Sequence, residues 1–154
     1  MSIPMVDDPS PAAALPGSQA VLIIDDTAVV RRLAFRILAE SGYRVFEAAT
    51  ATEALEVLQL ARGRVDLVVL DVVMPDVGGV DTLRLMQEKA PEVKVVFMSG
   101  YPAEILAREG LKDLNVRFLA KPFTRDELLK TVAAALGPKK PNGEHKEAGR
   151  SRER

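Results

Sequence analysis

Five polar side chains of this sequence have the types and positions needed for metal and phosphoryl chemistry. Each follows a short apolar run: Asp25 and Asp26 the first, Asp71 the third, Ser99 the fourth and Lys121 the fifth. Three carboxylates held close together raise one another's pKa unless a cation intervenes. Mg²⁺, or Mn²⁺ in its place, suits such hard oxygen ligands and can bind phosphate oxygens as well.

The Lys121 ammonium and the Ser99 hydroxyl add the groups that phosphoryl transfer needs. Lys121 supplies a compact positive charge for one phosphoryl oxygen, and Ser99 can donate a hydrogen bond to another. A carboxylate can then attack phosphorus, because that step needs mainly alignment and charge neutralisation. Structural roles stay open for the same residues: Asp25 or Asp26 could cap a helix, and Asp71 could shape a turn.

The apolar runs before these residues predict four strands: Val21–Ile24, Leu67–Leu70, Val93–Met98 and Val116–Leu119. They are rich in β-branched residues, which is typical of strands buried on both faces of a parallel sheet. A weaker run, Arg44–Ala48, predicts an additional strand. Right-handed crossovers would bring the carboxyl ends of these strands, and so the polar residues, to one edge of the sheet.

Helical periodicity in the intervals predicts five helices. The first is indicated by apolar residues at helical spacing, with Gly42 as its stop: Val30, Leu33, Ala34, Ile37 and Leu38. Capping boxes at Thr50–Glu53 and Thr124–Glu127 open two more, and Val80–Ala90 and Ala103–Gly110 are the others. The alternation predicts an α/β fold: a flavodoxin-like, doubly wound parallel five-stranded sheet of order 2-1-3-4-5 with helices on both faces.

Composition narrows the class of protein. The 154 residues suffice for one core, and we predict a flexible leader over 1–18, a folded domain over 19–137 and a flexible polar tail over 138–154. Lys and Arg number 21 against 22 Asp and Glu, so the charge does not favour nucleic acid as a partner. No apolar run is long enough to span a membrane, and the first residues do not read as a signal peptide. These features predict a cytoplasmic protein without a membrane partner.

Over Ala20–Leu136 the sequence resembles the response-regulator receiver family of two-component signalling. The resemblance rests on the acidic pair Asp25-Asp26, on Asp71 in the run Leu70–Pro75, on Ser99 and on Lys121-Pro122. The run Phe97–Tyr101 is further similar to the same segment in receivers of hybrid sensor kinases. The chain also resembles stand-alone single-domain regulators. Whether this chain stands alone or is one domain of a hybrid kinase stays open.

The resemblance implies a role for each residue of the site. Asp71 would accept a phosphoryl group from a phosphohistidine of a sensor histidine kinase or a histidine phosphotransfer protein. Asp26, Asp71 and the backbone carbonyl of Val73 would hold Mg²⁺, and Asp25 would bind the ion directly or through water. Lys121 would stabilise the phosphoryl group.

The resemblance also implies a conformational switch and an output. The bond between Lys121 and Pro122 would be cis. Ser99 and Phe118 would change position on phosphorylation and alter the surface over Pro102–Leu136, through which the domain would bind a target or relay phosphate. By itself, Phe118 in an apolar strand is better explained as a core residue than as a switch.

Three positions depart from the commonest receiver pattern. Phe118 stands where Tyr is frequent, Val73 offers no polar side chain to position water, and Tyr101 is bulky enough to overhang the site or to serve as a surface contact. We therefore hypothesise slow self-dephosphorylation.

Two other functions remain open: a Mg²⁺-dependent phosphohydrolase with an Asp nucleophile, although Val73 stands where its second acid is expected, and a pseudo-receiver that binds partners without being phosphorylated.

Overall fold

A computed structural model of the chain describes residues 18–61, 63–72, 79–100 and 117–137, and helices and strands alternate along it up to residue 99. The strands are β1 (Ala20–Ile24), β2 (Arg44–Ala48), β3 (Leu67–Asp71), β4 (Lys94–Ser99) and β5 (Arg117–Ala120). The helices are α1 (Ala28–Glu40), α2 (Ala51–Ala61), α3 (Gly79–Lys89) and α4 (Arg125–Leu136). The helix predicted over Ala103–Gly110, most of the predicted leader and the predicted tail lie outside the described residues. None of the four described helices combines the length and the apolar character that crossing a membrane requires.

The five strands form one parallel sheet in the order β2-β1-β3-β4-β5, which confirms the predicted order 2-1-3-4-5. The order reverses between β1 and β3, where Ile24 lies beside Leu70. One residue further, Asp71 lies beside Met98, and Ser99 lies beside Ala120. This register brings the carboxyl ends of β1, β3, β4 and β5 to one edge of the sheet, beside the reversal where open α/β sheets bind ligands.

Alternate residues of each central strand enter two separate hydrophobic clusters. Leu22 of β1 and Leu70 of β3 pack on one face with α2 and α3, whereas Ile23 and Val69 pack on the other with α1 and α4. Every residue of β1 and of β3 is buried. Burial on both faces explains why these strands are continuous apolar runs without polar alternation.

The two predicted capping boxes differ in the backbone N–H that the Glu side chain binds. At α4 the Thr124 side chain accepts from the Glu127 N–H and the Glu127 side chain accepts from the Thr124 N–H, as predicted. At α2, Thr50 Oγ1 accepts from the Glu53 N–H at 3.1 Å, but Glu53 Oε1 accepts from the Ala49 N–H at 2.7 Å. The second bond of the α2 box therefore reaches one residue further back than predicted.

Helix α1 buries a narrower stripe than its apolar pattern indicated. Ala34, Ile37 and Leu38 are buried, but Leu33 is 48% exposed. At 100° per residue, Leu33 lies roughly 90° from the centre of the buried stripe, so its side chain projects along the edge of the helix interface. Gly42 ends the segment with a φ of 98°, as its predicted role as a stop requires.

Candidate functional site

The three carboxylates predicted to form the site lie together. Asp25 and Asp26 follow β1, Asp71 ends β3, and one carboxylate oxygen from each lies within 4.8 Å of the others. Their exposure differs, because Asp25 is fully buried, Asp71 is 5% exposed and Asp26 faces solvent. The sheet therefore brings together side chains that are 46 residues apart in the sequence.

Asp25 is the most firmly held of the three. Its Oδ1 accepts a hydrogen bond from the Thr27 N–H at 2.9 Å, and its Oδ2 accepts one from Lys121 Nζ at 2.9 Å. Its own N–H donates to the Ala48 carbonyl at 3.2 Å, which ties the residue to β2. A carboxylate at 0% exposure is tolerated here because it has both a charged partner and a backbone donor.

Lys121 joins the two buried carboxylates. Its Nζ lies 2.9 Å from Asp25 Oδ2 and 3.3 Å from Asp71 Oδ2. Burial alone would lower the pKa of Lys121, but the hydrogen bond and charge of Asp25, with those of Asp71, outweigh it, so the pKa lies above its ordinary value of 10.5. The ammonium is therefore charged at neutral pH.

The backbone around Lys121 fixes where its side chain starts. The Lys121 N–H donates to the Ser99 carbonyl at 2.8 Å, which continues the pairing of β5 with β4. The peptide bond between Lys121 and Pro122 is cis, as predicted. The ammonium thus enters the site from the end of β5.

The two residues predicted to act as a switch occupy different environments. Ser99 is 3% exposed at the end of β4. Phe118 is only half-buried, and its ring centroid lies 5.6 Å from that of Phe97 at an interplanar angle of 43°. The predicted contributions of Val73 and Tyr101, and the part of the output surface before β5, lie outside the described residues.

One set of contacts at this site has no counterpart among the predictions from sequence. Arg31 of α1 donates from Nη1 to the Asp25 carbonyl oxygen at 2.8 Å and from Nε to Glu47 Oε1 of β2 at 3.0 Å. Glu47 lies 16 residues after Arg31, so no helical or strand spacing links the pair. Their proximity depends on how α1 packs beside the β1–β2 pair.

The charges of the site favour a divalent cation. Three carboxylates against one ammonium leave two negative charges at the edge of the sheet. The carboxylate oxygens are the hard ligands that Mg²⁺ prefers, and the exposed Asp26 leaves the cluster open to a hydrated ion. The donor set therefore fits the metal that the sequence predicted.

Comparison with known proteins identifies the family. The family model described as the response regulator receiver domain matches residues 21–133. This chain belongs to the response regulator receiver family. Receiver domains are signalling modules of two-component systems, which interact with sensor kinases and phosphotransfer proteins.

Individual relatives agree with this assignment. The receiver domain is 42% identical over 125 residues to the sensor kinase CckA of Brucella abortus, covering 81% of this chain and 13% of that protein. It is 30% identical over 119 residues to sporulation initiation phosphotransferase F of Bacillus subtilis, covering 77% of this chain and 94% of that protein. The chain thus spans a small part of the matched sensor kinase but nearly all of the phosphotransferase.

Solved structures show the same fold. The receiver domain of the hybrid histidine kinase CckA superposes with a TM-score of 0.66 at 32% identity, covering 77% of this chain and 99% of that one. The chemotaxis response regulator CheY4 of Vibrio cholerae gives a TM-score of 0.68 at 28% identity, with the same two coverages of 77% and 99%. The flavodoxin-like arrangement predicted for this receiver domain is therefore confirmed.

Proposed function

We propose that this receiver domain is a phosphorylation-dependent switch that accepts a phosphoryl group onto Asp71 from a phosphohistidine of a sensor histidine kinase or phosphotransfer protein. The observation that carries the proposal is the contact of Lys121 Nζ with Asp71 Oδ2 at 3.3 Å beside two further carboxylates. A buried carboxylate with a cation against one oxygen is placed to receive a phosphoryl group whose charge that cation can offset.

In the proposed step an Asp71 oxygen attacks phosphorus. A P–O bond forms, the P–N bond of the phosphohistidine breaks, and the departing imidazole nitrogen takes the electron pair and a proton from solvent. Lys121 moves from pairing two carboxylates to pairing a phosphoryl oxygen, and Ser99 donates to another. Lys121 and Ser99 are proposed to act through alignment and charge, because Asp71 is itself the nucleophile that forms the acyl phosphate.

A divalent cation completes the proposed site. Asp25, Asp26 and Asp71 would hold Mg²⁺ or Mn²⁺ through carboxylate oxygens, and the family resemblance adds the backbone carbonyl of Val73. The bound ion supplies a positive charge for the phosphoryl oxygens. The support for this part of the proposal is the carboxylate cluster and its uncompensated negative charge.

The proposed output is a protein–protein contact or phosphate relay in the cytoplasm. Phosphorylation would draw Ser99 toward the new oxygens and allow the half-buried Phe118 to turn inward, changing the surface over 102–136. Residues 19–137 would form the receiver module, with flexible segments over 1–18 and 138–154. These limits and the cytoplasmic location stay predictions.

Intact-mass analysis after incubation with acetyl phosphate and Mg²⁺ tests the proposal. Wild type should gain the mass of one phosphoryl group, and Asp71→Asn should gain none. Asp66→Asn is the matched control, because Asp66 directly precedes the same strand at its opposite end and its Oδ2 accepts from the Ala20 N–H at 2.8 Å, a bond that an Asn oxygen can keep. This control should be labelled like wild type.

Three results would contradict the proposal. Labelling of Asp71→Asn would show that another residue accepts the phosphoryl group. Labelling of wild type in excess EDTA would show that the reaction does not require a metal ion. An unlabelled wild type, both with acetyl phosphate and with phosphorylated histidine kinases as donors, would instead favour the pseudo-receiver.

A further inference from the structure

Arg31 binds the backbone of the loop that carries the acidic pair. Its Nη1 donates to the Asp25 carbonyl oxygen at 2.8 Å, and its Nε pairs with Glu47 Oε1 at 3.0 Å. The side chain is only 15% exposed and that of Glu47 19%. This partly buried guanidinium therefore links α1, β2 and the β1–α1 loop through two charge-assisted bonds.

We infer that Arg31 is a positioning residue, which fixes the peptide between Asp25 and Asp26 and so sets the Asp26 carboxylate for the divalent cation. The inference rests on the proposed metal-dependent function of the site. The link is the Asp25 carbonyl, because this group belongs to the peptide that leads directly into Asp26. Among the residues that the structure describes, Arg31 forms no hydrogen bond or ion pair with the side chain of Asp25 or of Asp26.

The need for such a residue follows from the surroundings of Asp26. Within the described part of the chain, no hydrogen bond or ion pair holds the exposed Asp26 side chain. Its location therefore depends on the loop backbone, which the Asp25 N–H and the Thr27 N–H anchor at 3.2 Å and 2.9 Å. Arg31 anchors the Asp25 carbonyl, which lies between these two N–H groups and belongs to the peptide that leads into Asp26.

The Glu47 carboxylate balances the charge of Arg31, which lies beside the proposed cation site. A free guanidinium next to the acidic cluster would repel a divalent cation, but the Glu47 carboxylate balances its charge. Glu47 also fixes the orientation of the Arg31 guanidinium, because the N–H donors of this group have a rigid planar geometry. Arg31 can then hold the loop at a reduced electrostatic cost to metal binding.

The neighbouring Arg32 provides a matched control. It lies on the same helix and pairs with the same carboxylate, Nη1 to Glu47 Oε2 at 3.2 Å, but its side chain is 71% exposed. Within the described residues it has no bond to the β1–α1 loop. Arg31→Met and Arg32→Met therefore remove equal charge and one Glu47 contact each, and only the first removes the bond to the Asp25 carbonyl.

Calorimetric titration of the full chain with MgCl₂ at constant ionic strength distinguishes positioning from charge. If Arg31 acts only through its charge, both variants should bind Mg²⁺ slightly more tightly than wild type. If it positions the loop, Arg31→Met should weaken Mg²⁺ binding by roughly tenfold, the lower end of the range for residues that support metal ligands. Arg32→Met should stay within about twofold of wild type.

Amide hydrogen exchange without metal supplies a second measurement. The Thr27 N–H, bonded to Asp25 Oδ1, should exchange several-fold faster in Arg31→Met than in Arg32→Met. The Leu128 N–H, bonded to the Thr124 carbonyl at 3.0 Å in α4, should be unchanged in both and reports on global opening. Should Arg31→Met not fold, Arg31→Lys serves instead, with an expected loss of affinity between those of the two Met variants.

The outcomes separate the two proposals. Normal Mg²⁺ affinity and normal Thr27 exchange in Arg31→Met, or in Arg31→Lys if that variant is used, would overturn the positioning role and leave the proposed function intact. Absence of Mg²⁺ binding in wild type would overturn the proposed function, while the metal-free exchange would still decide whether Arg31 holds the loop. Equal losses of affinity in both Met variants would also overturn the positioning role.

Discussion

At the scale of single residues, the three carboxylates of the receiver domain have unequal roles in stability. Asp25 is buried and bonded to Lys121 and to the Thr27 N–H, whereas Asp26 is exposed and adds mainly repulsion when no cation is present. An acid retained where it opposes folding is typical of a functional site. The Asp26 carboxylate is therefore expected to cost stability in the metal-free protein.

The substitution Asp26→Asn should accordingly stabilise the metal-free protein. We expect the free energy of unfolding in EDTA to rise by about 0.5 kcal/mol, since one exposed like charge is removed. Asp126→Asn is the control with the opposite sign, because Asp126 lies in the first turn of α4, where a negative charge is favourable. Urea denaturation of both variants measures the difference, and destabilisation by Asp26→Asn would contradict the expected repulsion.

Lys121 is expected to stabilise the metal-free site. Lys121→Met would leave the fully buried Asp25 carboxylate without its charged partner, and breaking such a pair costs about 3 kcal/mol. Lys130→Met, on the exposed side of α4, should change the free energy of unfolding by less than about 0.5 kcal/mol. Denaturation curves in EDTA give both values. Equal effects of the two substitutions would show that Lys121 does not compensate the buried acids.

The contribution of Lys121 should also depend on pH. Because its pKa is raised in the folded protein, the stability that it adds is fully present below the ordinary pKa of 10.5 and is lost as the pH rises through the folded value. The difference in unfolding free energy between wild type and Lys121→Met should therefore be constant from neutral pH and shrink above 10.5. A difference that grew with pH in that range would contradict the raised pKa.

At the scale of elements, the described helices begin in different ways. Helix α4 has the complete reciprocal box of Thr124 and Glu127, and α2 has the shifted version in which Glu53 reaches Ala49. Helix α1 follows Thr27, whose side chain makes no capping bond. The loop before α1 is held instead by Asp25 and Arg31, which connects the start of this helix to the functional site.

Substitutions of the two cap threonines should reveal this difference. Thr124→Ala should lower the free energy of unfolding by about 1 kcal/mol, because the Glu127 N–H loses its acceptor. Thr27→Ala should have a much smaller effect, because no side-chain bond is lost there. Thermal and urea denaturation measure both changes. A loss at Thr27 as large as that at Thr124 would mean that its hydroxyl caps α1 in solution.

At the scale of the whole molecule, the site lies where strand order reverses and both hydrophobic clusters meet the carboxyl edge of the sheet. Asp25 and Asp71 extend from strands that are buried along their whole length. A ligand that binds these carboxylates therefore acts on the two central strands. Binding at the site should consequently be linked to the stability of the complete domain.

Mg²⁺ should raise the stability of wild type through this linkage. At a free concentration one hundred times the dissociation constant, the free energy of unfolding should increase by about 2.7 kcal/mol. Asp26→Asn should show a much smaller increase at the same concentration, although it is the more stable protein in EDTA. NaCl at equal ionic strength is the control. Equal stabilisation by NaCl would indicate general screening in place of a metal site.

Much of the site could be predicted from the sequence because its residues occupy strand ends. Asp71 and Ser99 end apolar runs, so the parallel arrangement alone places them at one edge. The link from Arg31 to Glu47 and to the Asp25 carbonyl could not be predicted in this way. It depends on the packing of a helix beside two paired strands, and neither residue has a spacing that marks it.

The sequence by itself determined the order of the described helices and strands, two of the helix caps and the set of acids, because periodicity and capping depend on residues that are close in the chain. Only the tertiary structure decided that Asp25 is buried while the adjacent Asp26 is exposed, and that Lys121 contacts a carboxylate 96 residues away. Those outcomes depend on strand register and on helices packing over both faces. They join distant segments, so no local pattern encodes them.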